Sequence, residues 1–253
     1  MLPVAGDEGK EKTRWIEYMD LLGYRVGGQK SGAWLGQLSI FNSDRSKPQY
    51  QMPGLDVWRK GTTELRLVVS RDAGKSWQRV AGKQTWLPHH TDPHGYDRLV
   101  FTTFPVRVGD EYYFYYSAWD GDHLTFNRDG TLFEPGLART GRTALAKLRV
   151  DGYVSLDAGR EKAALTTKPL RFDGTSLVAN LETSQGSLRA ELQDASGRAI
   201  EGFALADSVA ATGNGIEKPL RWRSADVGKL GGRAVRVRFE LVGGSLYSFR
   251  FAT

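Results

Sequence analysis

The feature that most constrains this chain is a two-residue alternation of apolar and polar side chains, repeated in short stretches along its length. Residues 64–70 (ELRLVVS) and residues 235–240 (VRVRFE) both alternate in this way, which is typical of a strand with one buried and one solvated face. Turns rich in glycine separate the stretches, and the chain has 30 glycines to supply them. No stretch shows the apolar period of a long helix. The sequence therefore predicts an all-β fold.

The first half of the chain reads as two copies of one sheet unit. Three pairs of residues recur at an offset of 78 or 79 positions. A recurring four-stranded unit is typical of a propeller blade, so we expect a partial β-propeller of about two four-stranded blades. Two unrelated meanders are the alternative. The recurring pairs are Ser39 with Ser117, Asp44 with Asp122, and Asp72 with Asp151.

Three segments are expected along the chain. Residues 1–13 are polar and are predicted to be a disordered tail. Residues 14–158 form the propeller-blade region. Residues 159–253 carry short strand patterns separated by turns, which predicts a C-terminal β-sandwich.

Composition excludes several classes of partner and site. The net charge is +6, but the basic residues are scattered, so we predict no nucleic-acid binding. No apolar run approaches the roughly 18 residues of a membrane span, so no membrane partner is expected. The absence of cysteine excludes disulfides and thiolate metal sites. The first eight residues show no signal peptide, which fits either the bacterial cytoplasm or secretion after trimming.

The four histidines fall in two segments that also carry carboxylates. Both segments follow strand-like stretches and are expected to be loops, and two stacked sheet units would bring them to one end. Converging imidazoles and carboxylates make a polar sugar pocket or, with His94 and His123 as ligands, a divalent-metal site. The first segment holds His89, His90, Asp92, His94 and Asp97, and the second holds Asp120, Asp122 and His123.

These carboxylates can supply the acid and the base of a glycosidase, which flank the bond that is cleaved. Glu17 is a further acid, because a carboxylate in an apolar strand is costly unless it is paired or faces a wet channel. Such chemistry requires no cofactor, and a divalent metal is the alternative. The catalytic candidates are Asp92, Asp97, Asp120, Asp122 and Glu17. The substrate-binding candidates are His89, His90, His94, His123 and Trp119, whose ring can stack on a sugar.

An ordinary structural reading exists for each candidate. Asp and His often bond to the backbone of turns, and a glutamate on a solvated strand edge needs no function. Residues 70–77 (SRDAGKSW) resemble the Asp-box turn, Ser-x-Asp-x-Gly-x-x-Trp. In that turn the aspartate caps a hairpin and the tryptophan packs beneath it, so Asp72 is expected to be structural.

Together with WIEY at 15–18, LPHH at 87–90, FYYS at 114–117 and GYVSL at 152–156, this turn resembles the C-terminal half of proteins related to glycoside hydrolase family 32. The resemblance implies a five-bladed propeller followed by a β-sandwich. The family's acidic nucleophile motif, similar to Trp-Met-Asn-Asp-Pro-Asn, and its Arg-Asp-Pro motif are both absent. The family's catalytic residues are therefore not carried over, and the chain is long enough for about two blades.

Two functions follow from these observations. The first is a glycoside hydrolase that cleaves a poly- or oligosaccharide by carboxylate acid–base catalysis. The second is a non-catalytic carbohydrate-binding or interaction module left from a truncated propeller glycosidase. Two blades would expose strand edges and apolar faces, so we also predict a homo-oligomer.

Overall fold

The computed structural model describes residues 4–5, 14–26, 33–44, 46–48, 51, 61–80, 84–87, 99–119 and 141–253. The chain divides into two compact units, Met1–Lys147 and Leu148–Thr253. Strands dominate the described residues, together with a short 3-10 helix at Val227–Leu230. The predicted all-β class is confirmed. No helix in the described ranges is long and apolar enough to cross a membrane.

The described strands of the first unit form one sheet. Strands β2 to β5 make an antiparallel meander in chain order, and β1 adds in parallel to β5. The strands are β1 (Val4–Ala5), β2 (Arg14–Val26), β3 (Ala33–Asp44), β4 (Thr62–Ser70), β5 (Trp77–Arg79), β6 (Leu99–Thr102), β7 (Val106–Val108), β8 (Glu111–Trp119) and β9 (Gly141–Arg149).

Strands β6 to β9 form a second meander around β8. Strands β6 and β7 lie end to end on one edge of β8, with a register change of one residue between Thr102↔Tyr116 and Val106↔Tyr113. Strand β9 also pairs with β8. Two meanders occur where two four-stranded blades were predicted, but the second is three strands wide, and the parallel pair Thr63↔Leu99 joins both into one sheet.

The turn between β4 and β5 has the predicted capped geometry. Asp72 accepts hydrogen bonds from the Ser76 backbone N–H (2.9 Å) and from the Ser76 hydroxyl (2.6 Å), and Gly74 N–H donates to Ser70 Oγ (2.8 Å). The two bonds from Ser76, together with a bond from the Ser70 hydroxyl (2.8 Å), hold the pKa of Asp72 well below its usual range, at about 2. The expectation that Asp72 is structural is confirmed, because its carboxylate oxygens are engaged within the turn.

Trp77 anchors the first meander from the end of that turn. Its indole N–H donates to the Gly74 carbonyl (3.0 Å), and its side chain is buried. The ring lies over Gly23 and Gly36, which face each other across β2 and β3, and a Cβ at either position would come within 2.9 Å of it. Two facing glycines therefore create the flat bed on which the ring packs. Leu38, Ile40 and Val68 complete this core cluster.

A buried amide connects the two meanders. Gln37 on β3 is 1% exposed. Its side chain donates to the Thr103 carbonyl (3.3 Å) and accepts from the Thr102 hydroxyl at the end of β6. Burying an amide is costly unless its polar atoms are bonded, so this pairing fixes the second meander against the first.

The second unit is a β-sandwich built around one long strand. Strand β12 pairs with β16 through residues 176–182 and then with β15 through residues 187–193, while β14 lies on its other edge. Both halves contribute to one buried cluster, so β12 takes part in both layers. The strands are β10 (Leu156–Ala158), β11 (Ala163–Thr166), β12 (Ser176–Gln193), β13 (Ser208–Val209), β14 (Ala211–Trp222), β15 (Arg236–Val242) and β16 (Gly244–Ala252).

The bend in β12 requires a glycine. At Gly186 a Cβ would lie 1.8 Å from the Val242 carbonyl oxygen, and at Gly244 a Cβ would lie 2.2 Å from the Glu182 carbonyl oxygen. Between β15 and β16, Gly243 has a φ of 58°, which favours glycine. The strand changes layers where two backbones approach too closely for any side chain.

The predicted division between residues 158 and 159 falls at the end of β10, which pairs with β16, whereas the two compact units divide between Lys147 and Leu148. Residues 1–13, predicted to be disordered, lie outside the described residues except for Val4–Ala5, whose backbone pairs with β5.

Replacing Gly186 with alanine tests the bend. We expect a loss of about 1–3 kcal/mol of unfolding free energy, because the added methyl meets a backbone oxygen that cannot move without breaking the β12–β15 pairing. Urea titration measures it. The matched control is Gly159→Ala, where a Cβ would meet nothing within 4 Å. Equal stability of the two variants contradicts this account.

The Asp72 turn predicts a specific acid sensitivity. Because the folded pKa of about 2 lies below the ordinary 3.8, the carboxylate stabilises the fold above pH 4, and this contribution disappears as the pH falls to 2. The urea midpoint of Asp72→Ala should therefore lie below that of the unmodified chain at pH 7, with the gap closing near pH 2. Asp110→Ala, in the β7–β8 turn, is the control for removal of an exposed carboxylate and should change the urea midpoint little at pH 7.

Candidate functional site

One row of paired residues crosses the first sheet at one end. In register, Glu17 pairs with Phe41, Phe41 with Thr63, Thr63 with Leu99, and Leu99 with Trp119. Neighbouring strands lie about 4.8 Å apart, so the row is roughly 19 Å long. We call this edge of the sheet the loop end.

The long connections of the first sheet attach at the loop end. Residues 45–61 follow β3 and precede β4, and residues 120–140 follow Trp119 and precede β9. Residues 88–98 connect Leu87, which bridges to Leu65, with Leu99, which pairs with Thr63. The opposite end carries short turns, at 71–76 and 109–110. Function concentrates in loops that a rigid scaffold positions, so the loop end is the candidate site.

Most of the predicted site residues lie outside the described residues. The backbone of Glu17 is described and belongs to the row, and the side chain of Trp119 is described. Leu87, Leu99 and Trp119 flank the two histidine segments and lie at one end of the sheet. The convergence of those segments themselves stays a prediction. The candidates outside the described residues are His89, His90, Asp92, His94, Asp97, Asp120, Asp122 and His123.

Trp119 is the last residue of β8 and is half-buried. Its ring packs on Gly141 at the start of β9, where a Cβ would lie 2.5 Å from the indole Cε3. Its pairing with Leu99 keeps it within the strand. Trp119 therefore lies at the base of the loop end, where its ring packs against Gly141, the first residue of β9.

A buried ion pair lies directly beside the row. The side chains of Glu64 and Arg66 on β4 are 14% and 9% exposed and contact each other. The second carboxylate oxygen of Glu64 accepts from the Thr85 hydroxyl (2.8 Å). Burial raises the pKa of Tyr18, and the positive charge of Arg66 opposes that rise.

This cluster explains how an apolar strand accommodates the carboxylate of Glu64. A carboxylate in an apolar strand is costly unless it is paired, and here it has both a cation and a hydroxyl. The Glu-x-Arg spacing on one strand face was the available signal, since residues two apart in a strand share a face. We assign the pair a structural role in fixing β4 next to Thr63.

The described residues contain no group of three His, Cys, Asp or Glu side chains that could hold a metal ion. The two histidines proposed as ligands, His94 and His123, lie outside those residues. A divalent metal at the loop end stays a prediction.

Comparison with known proteins adds little. No family model and no curated protein match the chain. A solved glycoside hydrolase family 43 arabinoxylan arabinofuranohydrolase from Bacillus subtilis, in complex with cellotetraose, is 13% identical, with a TM-score of 0.23. The match covers 89% of this chain and 53% of that one, so this chain spans about half its length. A likeness this weak carries no weight, and the resemblance to glycoside hydrolase family 32 stays a prediction.

Breaking the buried pair should destabilise the first unit. Glu64→Gln leaves the Arg66 guanidinium buried without its carboxylate, and we expect a loss of about 3 kcal/mol of unfolding free energy. Urea titration at pH 7 measures it. The control is the double variant Glu64→Leu with Arg66→Met, which removes both charges and should recover most of the loss. A double variant with a lower free energy of unfolding than Glu64→Gln contradicts this role.

Proposed function

We propose that this chain is a carbohydrate-active protein that binds its sugar at the loop end and cleaves a glycosidic bond of an oligo- or polysaccharide there. The observation that carries the proposal is the row from Glu17 to Trp119. It supports a common location for the segments that hold the histidines and most of the candidate carboxylates.

Positions along the row indicate which of the candidate carboxylates can lie close enough together to act as acid and base. Leu99 and Trp119 are direct partners, and paired residues in antiparallel strands lie about 5 Å apart. Asp97 precedes Leu99 by two residues and Asp120 follows Trp119 at once, so the chain tethers both close to that pair. Glycosidases need two carboxyl groups about 5–9.5 Å apart. We assign the acid–base pair to Asp97 and Asp120, with Asp92 and Asp122 as the next candidates.

Glu17 is a less suitable partner for either group. It lies three strands from Leu99 along the row, which is roughly 14 Å. That distance exceeds the separation of an acid–base pair. We propose that Glu17 binds sugar hydroxyls at the far side of the site. We propose that the sugar is contacted nearer to Asp97 and Asp120 by the Trp119 ring and by His89, His90, His94 and His123.

The second candidate is a binding module without catalysis. It is favoured by aromatic side chains on an exposed face of the second meander, where Tyr115 is 47% exposed. Turnover separates the two candidates, because an enzyme and a lectin both bind sugar but only one releases product.

The experiment is a screen of chromogenic glycosides and polysaccharides, with and without a chelator. If the proposal holds, Asp97→Asn and Asp120→Asn each lower kcat by about 10²–10⁴-fold while the dissociation constant for sugar changes little, since they remove proton transfer and leave binding groups intact. Loss of activity with chelator assigns a metal. The control is Asp110→Asn, in the turn at the opposite end, which should keep full activity.

Two outcomes contradict the proposal. If the chain binds sugar but turns over no substrate, the non-catalytic binding module is the function that remains. Full activity in both Asp97→Asn and Asp120→Asn removes the acid–base assignment.

A further inference from the structure

The second meander has one buried face and one exposed face, and the exposed face is aromatic. Phe114 and Tyr116 point into the core and are buried, whereas Tyr115 is 47% exposed. Residues two apart in a strand share a face, so Glu111, Tyr113 and Tyr115 lie together on the outside of β8. The two-residue period of a strand accounts for this division of the tyrosines.

Neighbouring strands extend this face on both sides. On β7, Val106 pairs with Tyr113 and Val108 pairs with Glu111, and Val106 is 51% exposed. On β9, Leu145 is also exposed, and Ala144 and Ala146 pack inward. The result is a flat surface three strands wide, or roughly 10 Å. We call it the tyrosine face, formed by Val106, Val108, Glu111, Tyr113, Tyr115, Leu145 and Lys147.

An ion pair lies within the tyrosine face, beside the Tyr113 ring and at the end where β8 begins. Lys147 Nζ lies 4.7 Å from the centroid of the Tyr113 ring and 3.8 Å from Glu111 Oε2. The pair combines a donor and an acceptor with no net charge beside an aromatic ring. The Tyr113 hydroxyl and the Glu111 charge raise the pKa of Lys147, so the ammonium stays charged at neutral pH.

The composition of the face distinguishes among partners. Tyrosine is enriched in the cores of protein–protein interfaces, but lysine and glutamate are depleted there. A Lys–Glu pair that forms part of the face therefore counts against a second protein, including a second copy of this chain. It also disfavours an anionic ligand, because Glu111 already neutralises the ammonium. A neutral ligand with flat apolar faces and many hydroxyls fits both the rings and the ion pair.

We propose that the tyrosine face binds a neutral polysaccharide chain, with Tyr115 stacking on one sugar ring and the Lys147–Glu111 pair bonding to hydroxyls of the next. This site is separate from the loop end, since Tyr115 precedes Trp119 by four residues along β8, or roughly 13 Å. It concerns polymer binding, and it stands whether or not the loop end cleaves a bond.

The test is affinity electrophoresis of the whole chain in gels that contain hydroxyethylcellulose, xylan or mixed-linkage β-glucan, with polygalacturonate as the charged counterpart. We expect retardation by at least one neutral polymer and not by polygalacturonate. Tyr115→Ala should weaken binding at least tenfold, while Tyr115→Phe, which keeps the ring, should stay within about threefold. Val209→Ala, an exposed residue of the second unit, is the control and should bind normally.

Two measurements on Tyr115→Ala distinguish this proposal from the loop-end proposal: polymer binding and turnover of a small substrate. Tyr115→Ala should leave turnover of a small chromogenic glycoside unchanged, because that substrate does not reach the tyrosine face. If the chain binds a polymer through Tyr115 but shows no turnover, the tyrosine-face proposal is supported and the glycosidase proposal is contradicted.

Three results overturn the proposal. The first is no retardation by any neutral polymer, and the second is retardation that Tyr115→Ala leaves intact. The third is a dimer, detected by light scattering, that Tyr115→Ala dissociates, since a second copy then covers the face.

Discussion

The arrangement of the first unit depends on how its two meanders are joined. Among the residues that the structure describes, one pair, Thr63↔Leu99, connects their backbones in parallel, and a single parallel pair is a weak connection. The buried amide of Gln37 reinforces it by bonding to Thr102 and Thr103. Because an unpaired amide at that depth is costly, the bonded arrangement is strongly favoured. The loop end, with strands from both meanders in one row, exists only in that arrangement.

The sequence revealed the parts of this structure that depend on local chemistry. The strand alternation of β4, the capped turn at Asp72 and the division of the β8 tyrosines all follow from side-chain period and turn geometry over a few residues. Each could be predicted because the interacting residues are close along the chain. The structural role of Asp72 belongs to the same class, since its partners are Ser70 and Ser76.

Long-range features could not be predicted in the same way. Gln37 reads as a polar residue in an alternating strand, and nothing nearby in the chain indicates that Thr102 will be its partner. The sequence predicts short strands separated by turns in residues 159–253, but β12 runs unbroken over Ser176–Gln193, because Gly186 allows a close backbone approach. Pairing partners and layer changes are set by tertiary contacts, which one sequence does not display.

The two ends of the first sheet differ in physical character, and this difference bears on where function can lie. At the end opposite the loop end, the Asp72 cap and the Trp77 ring, which packs on Gly23 and Gly36, fix the backbone through short contacts. At the loop end, contacts between residues of the strands themselves stabilise the sheet: the Glu64–Arg66 ion pair and the packing of the Trp119 ring on Gly141. A binding site needs a rigid base beneath segments that can differ in sequence without unfolding the sheet. The internal bracing of the loop end provides such a base, since none of these contacts relies on the connecting segments themselves.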